Sequence, residues 1–573
     1  MTDTLSIYLG QINPTVGAVK SNCECIAETY AAAQVAGADL VVTPELSISG
    51  YPLEDLVLKP GFVQQAMHAV ESLAAITAGA DEPGLIVGCP WLEGGKLFNA
   101  TLLLEGGVVK DVRYKHDLPN YGVFDEIRVF DAGPAAPTPV DFRGFKLGVM
   151  ICEDMWFGTC TNALAGAGAD ILLVPTCSPY ELDKHDERQQ HAQNRVAESK
   201  LPLVFCNQMS GQDELVFDGA SFVMAADQSI VVQMAAWQET GLITHWKREG
   251  GKLACQTTHH APQPDRLTSI YQAMVCGLRD YVNKNRFPGV ILGMSGGIDS
   301  ALSAAVAVDA LGPDRVHCVM MPSRYTSGES VSDAEKCSGA LGVKHDVITI
   351  KPGVDAFDDM LGAVFADTQP DTTEENIQSR LRGLILMSLS NKFGNMVLTT
   401  GNKSEMSVGY ATLYGDMCGG YNALKDVYKL DVFALSAWRN ENVPEGAFGT
   451  GGEVIPVNII TKPPAAELRE DQKDEDSLPP YEALDDMLRC LVDEEMSVPE
   501  VAARGYDVAE VARIEHLLYI AEYKRRQAPP GVKITRKNFG RDRRYPITNG
   551  YRSAPKIPNL NQCLSRKINK AQG

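Results

Sequence analysis

The 573-residue chain has no Cys-x-x-Cys pair among its fourteen cysteines, which are scattered singly apart from Cys23 and Cys25. A disulfide scaffold and a zinc site built on paired cysteines are thereby excluded. The lone Cys-x-Cys reads as helix packing. No run of eighteen apolar residues is present, so no segment has the length and hydrophobicity of a membrane-spanning helix. Met1 to Pro14 is short of basic charge and reads as a strand, not a signal peptide. A reducing cytoplasm is the expected location. Basic charge is scarce overall, 52 Lys and Arg against 73 Asp and Glu, for a net charge of −21. Nucleic-acid binding over a broad basic surface is therefore not expected. The exception is the C-terminal tail, where fourteen basic residues between Lys524 and Lys570 face one acid, Asp542.

What is present is a large α/β protein. Hydrophobic residues make up 45% of the chain and charged residues 22%, enough apolar material for large buried cores. Short apolar runs at 5–9, 40–42, 85–87, 101–104, 146–151, 171–174 and 203–206 suit strands. Ala-rich helical stretches such as 25–35 and 161–166 lie between them. The polar, Pro-containing stretch 257–264 reads as a linker, which predicts one domain over residues 1–260 and a second over 261–573. In the second, a helix over 267–285 leads to a strand at 289–294, a Gly-rich turn and a helix at 301–311. Further strands are expected at 316–321, 346–350 and 396–399, giving a doubly wound parallel sheet. The acid-rich stretch 467–482 reads as a surface loop.

The Gly-rich turn is the strongest local signal. Gly293-Met294-Ser295-Gly296-Gly297-Ile298-Asp299-Ser300 joins a strand to a helix, which aims backbone N–H groups at one point where an anion can sit. Asp299 is placed to hold Mg²⁺ beside phosphates. The GxxxxGK[ST] pattern is absent, so this is not an ordinary P-loop. The sequence resembles the loop of the ATP pyrophosphatase family. That resemblance implies cleavage of ATP between its α- and β-phosphates, with transfer of AMP to a carboxyl oxygen.

A second chemistry lies in the first half. Glu45, Lys115 and Cys152 each stand at or just past a strand-like run, so their side chains can converge. A thiolate attacks an amide carbon, a carboxylate moves the proton, and an ammonium stabilises the oxyanion. Their segments, Thr43-Pro44-Glu45-Leu46, Tyr114-Lys115-His116-Asp117 and Cys152-Glu153-Asp154-Met155-Trp156, resemble the nitrilase superfamily. An αββα sandwich and C–N hydrolysis through a thioester are implied. Two alternatives are a Cys–His pair with His116 and a nucleophilic Cys177. Neither has a surrounding pattern, and Cys177 reads as pocket wall or core.

An amidase joined to an amide-forming ATP pyrophosphatase points to glutamine as the nitrogen source. Nearly the whole chain resembles the glutamine-dependent NAD⁺ synthetases, through Glu45 to Leu56, Tyr121 to Glu126, Thr400 to Glu405, Tyr414 to Asp416 and Phe539 to Arg544. The resemblance implies Glu45 as general base, Lys115 as oxyanion stabiliser and Cys152 as nucleophile, with Tyr121, Ser178 and Lys184 around glutamine. It implies ATP at Gly293, Met294, Ser295, Gly296, Gly297, Ile298, Asp299, Ser300, Thr400 and Lys429, and Mg²⁺ on Asp299 and Glu405. It assigns deamido-NAD⁺ to Asn376, Arg380, Glu405 and Asp416, and the basic tail offers Lys533 and Lys537 for the same anion, the alternative for the tail being a solvated or intersubunit arm. Glutamine, or ammonia, would supply nitrogen, and the chain would form a homo-oligomer, an octamer being one option. Arg543 and Arg544 are expected to pair with acids at an interface. At Ala465 the family usually carries Ser or Thr, so a hydroxyl contact to ATP would be missing. The competing readings are guanylate or asparagine synthesis and a nucleotide-binding regulator with degenerate sites. The segments from Asn376 to Asp416 do not suggest the first, and the intact Cys152, Glu45, Lys115 and Asp299 argue against the second.

Overall fold

The computed structural model describes residues 3–551 apart from 80, 471, 473 and 477. The basic residues of the tail beyond 551 lie outside the described residues.

Two seven-stranded sheets form the first half. Their strands alternate faces, and each face finds its own partner. In Leu40–Val42, Leu40 and Val42 enter a core shared with Ile171, Leu173 and Val204 of the opposing sheet. Val41 points the other way, to Ile26, Val63 and Val70 on the helices Val19–Val35 and Pro60–Ala75. Leu172 and Val174 likewise face Leu164, Ala192 and Val196, on the helices Gly158–Gly166 and Lys184–Ser199. The result is the expected αββα sandwich. One expectation fails: His259–His260, inside the supposed linker, is an edge strand paired in parallel with Ile230–Gln233. Prolines at 262 and 264 mask it in the sequence.

In the second half a five-stranded parallel sheet runs in the order Lys344–Val347, Val316–Met320, Val290–Gly293, Met396–Thr399, Tyr421–Asn422. The order reverses between Val290–Gly293 and Met396–Thr399, and a crevice opens at their carboxyl ends. Helix Ile298–Leu311 is buried all round except at Asp299, as its apolar sequence requires. The strand expected at 346–350 is shifted to Lys344–Val347, because Pro352 opens a helix at Lys351–Leu361. The acid-rich stretch 467–482 is more than a surface loop. Asp474 is buried and accepts the Tyr481 hydroxyl at 2.8 Å.

Two seams join the halves. Helix Arg266–Lys284, capped by Asp265, packs on the hairpin Met209–Gln212 and Leu215–Asp218. There the Asp280 carboxylate accepts Gly211 N at 2.6 Å, and Lys284 donates to Gly211 O at 2.8 Å. The second seam is a strap over residues 533–544. Lys533, buried, pairs with Glu181 at 3.1 Å and with Asp542 at 2.9 Å. Leu182 N donates to Ile534 O at 2.9 Å, and Arg541 pairs with Glu54. Of the two arginines expected at an interface, Arg543 pairs inside its own half, with Glu522 at 3.1 Å. Arg544 reaches across, to a carbonyl and not an acid, Gly122 O at 2.9 Å.

Among the described residues, removing Lys533 leaves the Asp542 carboxylate without a cation and Glu181 with only the exposed Arg536, at 3.7 Å. Lys533→Met should lower stability by about 3 kcal/mol, the scale for a buried charge left unpaired. Denaturant unfolding monitored on the full chain checks this, and an unchanged midpoint would refute it.

Candidate active sites

In the sandwich, three strand ends bring the predicted trio together. Glu45 follows Leu40–Val42 on a chain that passes so close to Gly88 that a Cβ there would lie 2.1 Å from Leu46 N. Glycine at 88 is therefore a steric requirement of the site. Lys115 follows Val108–Tyr114, and Cys152 begins a single helical turn after Phe145–Val149. Cys152 has φ of 46°, a conformation unfavourable for a non-glycine residue and frequent at functional sites. Asp154 fixes that turn to the lysine loop. Its carboxylate accepts Ile151 N at 2.9 Å, His116 N at 3.0 Å and Asp117 N at 2.8 Å.

Lys115 is fully buried between two carboxylates, Glu45 at 2.7 Å and Glu126 at 2.8 Å. Burial alone would lower its pKa, but Glu126 and Glu45 outweigh burial and raise it well above the usual lysine value. The ammonium is thus permanent. Asn99 Nδ2 also donates to Glu45, at 2.8 Å, and Cys177 N donates to its second oxygen at 2.9 Å. The Tyr51 hydroxyl donates to Glu126 at 2.8 Å. Burial pushes the Cys152 thiol well up, the Glu45 carboxylate adds to this, and Lys115 opposes it. The resting thiol is therefore protonated, and attack needs a base, the part Glu45 is placed to play.

Around this centre stand the expected glutamine residues. The Tyr121 hydroxyl donates to Glu153 at 3.0 Å. Ser178 Oγ accepts Arg188 Nε at 2.9 Å, and Lys184 pairs with Glu187 at 2.6 Å beside the Trp156 ring. Arg188 is buried and also pairs with Asp218 at 2.7 Å, so it locks the Ser178 loop in place. Cys177 donates its thiol to the Glu45 carbonyl at 3.0 Å and belongs to the wall. His116 faces away, toward Gly133 O at 2.9 Å. Sequence reasoning missed Glu126, Asn99, Tyr51 and Glu153. Tyr51, Glu126 and Glu153 lay inside segments already singled out.

At the carboxyl edge of the parallel sheet a cavity of about 550 Å³ is lined by Gly293, Met294, Ser295, Gly297, Ile298, Asp299 and Ser300, with Thr400, Glu405, Asp416 and Lys429. Gly296 has φ of +79°, and a Cβ there would lie 2.2 Å from Ser330 O. No other residue fits that turn. Lys429 bridges Asp299 at 2.5 Å and Glu405 at 3.4 Å, and Asn402 donates to Asp299 at 2.8 Å. Burial and the Asp299 charge push Glu405 up to about 8. Burial pushes Asp416 up to about 6. Ala465 lines the wall with a methyl group where a hydroxyl was expected to be missing.

The remaining expected residues lie off this wall. Asn376 accepts the Thr412 hydroxyl at 2.9 Å, and Arg380 is exposed and donates to Leu413 O at 3.2 Å. Lys533 spends its charge in the seam, and Lys537 pairs with Glu495 at 3.4 Å. The wall also holds Arg382, Glu467 and Asp474, none of which the sequence marked.

Fold and sites define a C–N hydrolase joined to an adenine-nucleotide-type ligase domain. Residues 7–250 match the carbon-nitrogen hydrolase family and residues 270–528 the NAD synthase family. The chain is 49% identical to the glutamine-dependent NAD(+) synthetase of Rhodobacter capsulatus, over 96% of this chain and 100% of that one. Identity to the Xanthomonas campestris enzyme of the same name is 47%, over 96% and 98%. A solved structure of the Acinetobacter baumannii synthetase, in complex with ADP, is 40% identical with a TM-score of 0.76, covering 96% of this chain and 100% of that one. The chain belongs to the glutamine-dependent NAD⁺ synthetases.

The buried ammonium generates the test of the first site. Lys115→Met should lower glutaminase kcat by about 10²–10³-fold, the loss typical of an oxyanion donor. Glu126→Gln should lower it in the same direction by less, since Glu45 still holds the ammonium. Steady-state glutamate release measures both, and wild-type rates would reject the assignment.

Proposed function

We propose that residues 1–260 hydrolyse glutamine and residues 261–573 use the ammonia to convert deamido-NAD⁺ to NAD⁺, an ATP-dependent carbon–nitrogen ligation. The observation that carries the first half is the Glu45–Lys115–Glu126 network beside Cys152. Glu45 takes the Cys152 thiol proton, and sulfur bonds to the glutamine amide carbon. Lys115 holds the oxyanion. Glu45 returns the proton to the amide nitrogen, ammonia leaves, and water cleaves the thioester to glutamate. Glu153, with Tyr121, Ser178 and Lys184, receives the charged α-carbon end of glutamine.

In the second half, loop 293–300, Thr400 and Lys429 hold ATP. The deamido-NAD⁺ carboxylate attacks the α-phosphorus, pyrophosphate leaves, and ammonia displaces AMP from the acyl adenylate. Asn376, Arg380, Glu405, Asp416, Lys533 and Lys537 are the proposed contacts to deamido-NAD⁺. Arg380, exposed, is the best suited of these, and Lys533 the least, because its charge is already paired. The donor set suits Mg²⁺. Asp299 and Glu405 line the cavity, and near them the buried Asp474 Oδ1 has no hydrogen-bond partner. Bound there, Mg²⁺ would screen the phosphate charge.

A homo-oligomer, an octamer being one option, is supported by apolar side chains left exposed on Lys351–Leu361, Thr372–Phe393 and between them: Met360, Val364, Leu384 and Phe393. A reducing cytoplasm is supported by the described cysteines, all of which are free thiols.

Cys152→Ala should abolish glutamine-driven NAD⁺ formation and keep ammonium-driven formation. Loss of both would make Cys152 structural. Asp299→Ala should stop synthesis from either nitrogen source, and a normal rate would remove Asp299 from the ATP site. Both are read as NAD⁺ formed from deamido-NAD⁺, ATP and Mg²⁺.

A further inference from the structure

Three cations line the synthetase cavity among the described residues: Arg382, Lys429 and Lys462. Two are already neutralised. Lys429 has Asp299 and Glu405, and Lys462 has Asp333 at 3.0 Å. Arg382 has no carboxylate within ion-pair distance among the described residues. Among the described residues it makes one hydrogen bond, from Nε to Met321 O at 3.0 Å, which leaves both terminal amino groups to the cavity they line. Its nearest acids are engaged elsewhere. Glu467 accepts the Ser327 and Ser330 hydroxyls at 2.8 and 2.9 Å, and Asp416 accepts Thr412 N at 2.7 Å.

The position is specific. Arg382 lies on Thr372–Phe393, one turn before Leu386 on the same face. A Cβ on Gly293 would lie 3.6 Å from Leu386 Cδ1 and 3.2 Å from Met321 Cε. The anchor of Arg382 and its helical neighbour therefore both flank the first residue of the phosphate loop. A half-buried guanidinium without an anion is costly, and it becomes favourable once a doubly hydrogen-bonding oxyanion enters. Burial lowers its pKa to about 10, so it is still charged at neutral pH.

We propose that Arg382 binds phosphate oxygens of ATP through its terminal amino groups and holds the polyphosphate against loop 293–300 during adenylyl transfer. The carboxylate oxygen of the acceptor bonds to the α-phosphorus, the bond from that phosphorus to the bridging oxygen breaks, and pyrophosphate leaves with the electron pair. Arg382 keeps its proton throughout. This inference rests on reading loop 293–300 as the ATP site.

The test uses full-length Arg382→Gln and Arg382→Lys with ammonium as nitrogen donor, which bypasses the glutaminase. Arg382→Gln should lower kcat/KM for ATP by about 10²-fold, as for loss of one preorganised charge donor. The KM for deamido-NAD⁺ should stay at the wild-type value. Arg382→Lys should recover part of the loss, because it restores charge without the planar fork. Glutamine hydrolysis by the same preparations should equal wild type and reports on folding. Wild-type ATP kinetics in Arg382→Gln would overturn the proposal, and so would a change confined to the KM for deamido-NAD⁺, which would give Arg382 to the acceptor carboxylate. If Arg382→Gln does not fold, Arg382→Lys decides, and an ATP KM equal to wild type overturns it. Asp299→Ala is measured alongside. Retained ATP turnover there would sink the reading of the loop itself, whereas failure of Arg382→Gln alone sinks only this assignment.

Discussion

A lysine ammonium with no solvent exposure, held between two carboxylates, is the constraint on which the first half depends. Such a charge is tolerated only if every neighbour is fixed. Glu45 is fixed by Asn99 and the Cys177 amide, Glu126 by Tyr51, and the lysine loop by Asp154. The sandwich supplies this rigidity, because Leu40–Val42 is locked between two cores, Phe145, Leu147 and Val149 share the core between the sheets, and Val109 and Val112 pack the strand before Lys115 against the outer helices. The electrostatics then follow. A permanent cation and a high-pKa thiol share one pocket with a carboxylate able to move the proton between them.

The second half reaches its chemistry by another route. A parallel sheet leaves a crevice where its strand order reverses, and a glycine turn with a long apolar helix behind it fills one side. Lys429, Asp299 and Glu405 form a compact charge group on the floor, while Arg382 stands on the wall with no ion-pair partner among the described residues. The strap 533–544 links the two halves at the loops that carry Tyr121 and Ser178. Its Lys533 meets Glu181, and the backbone N–H groups of its Ile534 and Thr535 are held by Asp426, which also pairs with Lys403 at 2.9 Å. Lys403 opens the short helix that carries Glu405. A continuous set of buried polar contacts thus runs from one site's margin to the other's.

An α/β first half and the parallel sheet of the second were legible because strand burial follows apolar runs, and the phosphate loop because glycine spacing is steric; the αββα layering itself came only from the resemblance. The trio Glu45, Lys115 and Cys152 was legible only through its resemblance to a family, since nothing local marks a lysine for burial. Glu126 and Arg382 were not found, because their roles arise from tertiary neighbours distant in sequence. Composition misled twice. Prolines hid the edge strand His259–His260, and acidity hid the buried Asp474. The tail lysines were read as ligands for an anion, but Lys533 is consumed by acids of its own chain.

The account turns on one covalent bond, formed at Cys152 and not at the neighbouring Cys177. Acid-quenched reaction with glutamine, followed by peptide mapping of the γ-glutamyl thioester by mass spectrometry, tests it directly. The account predicts the adduct on Cys152 alone. An adduct on Cys177, or an adduct that persists in Cys152→Ala, would contradict it.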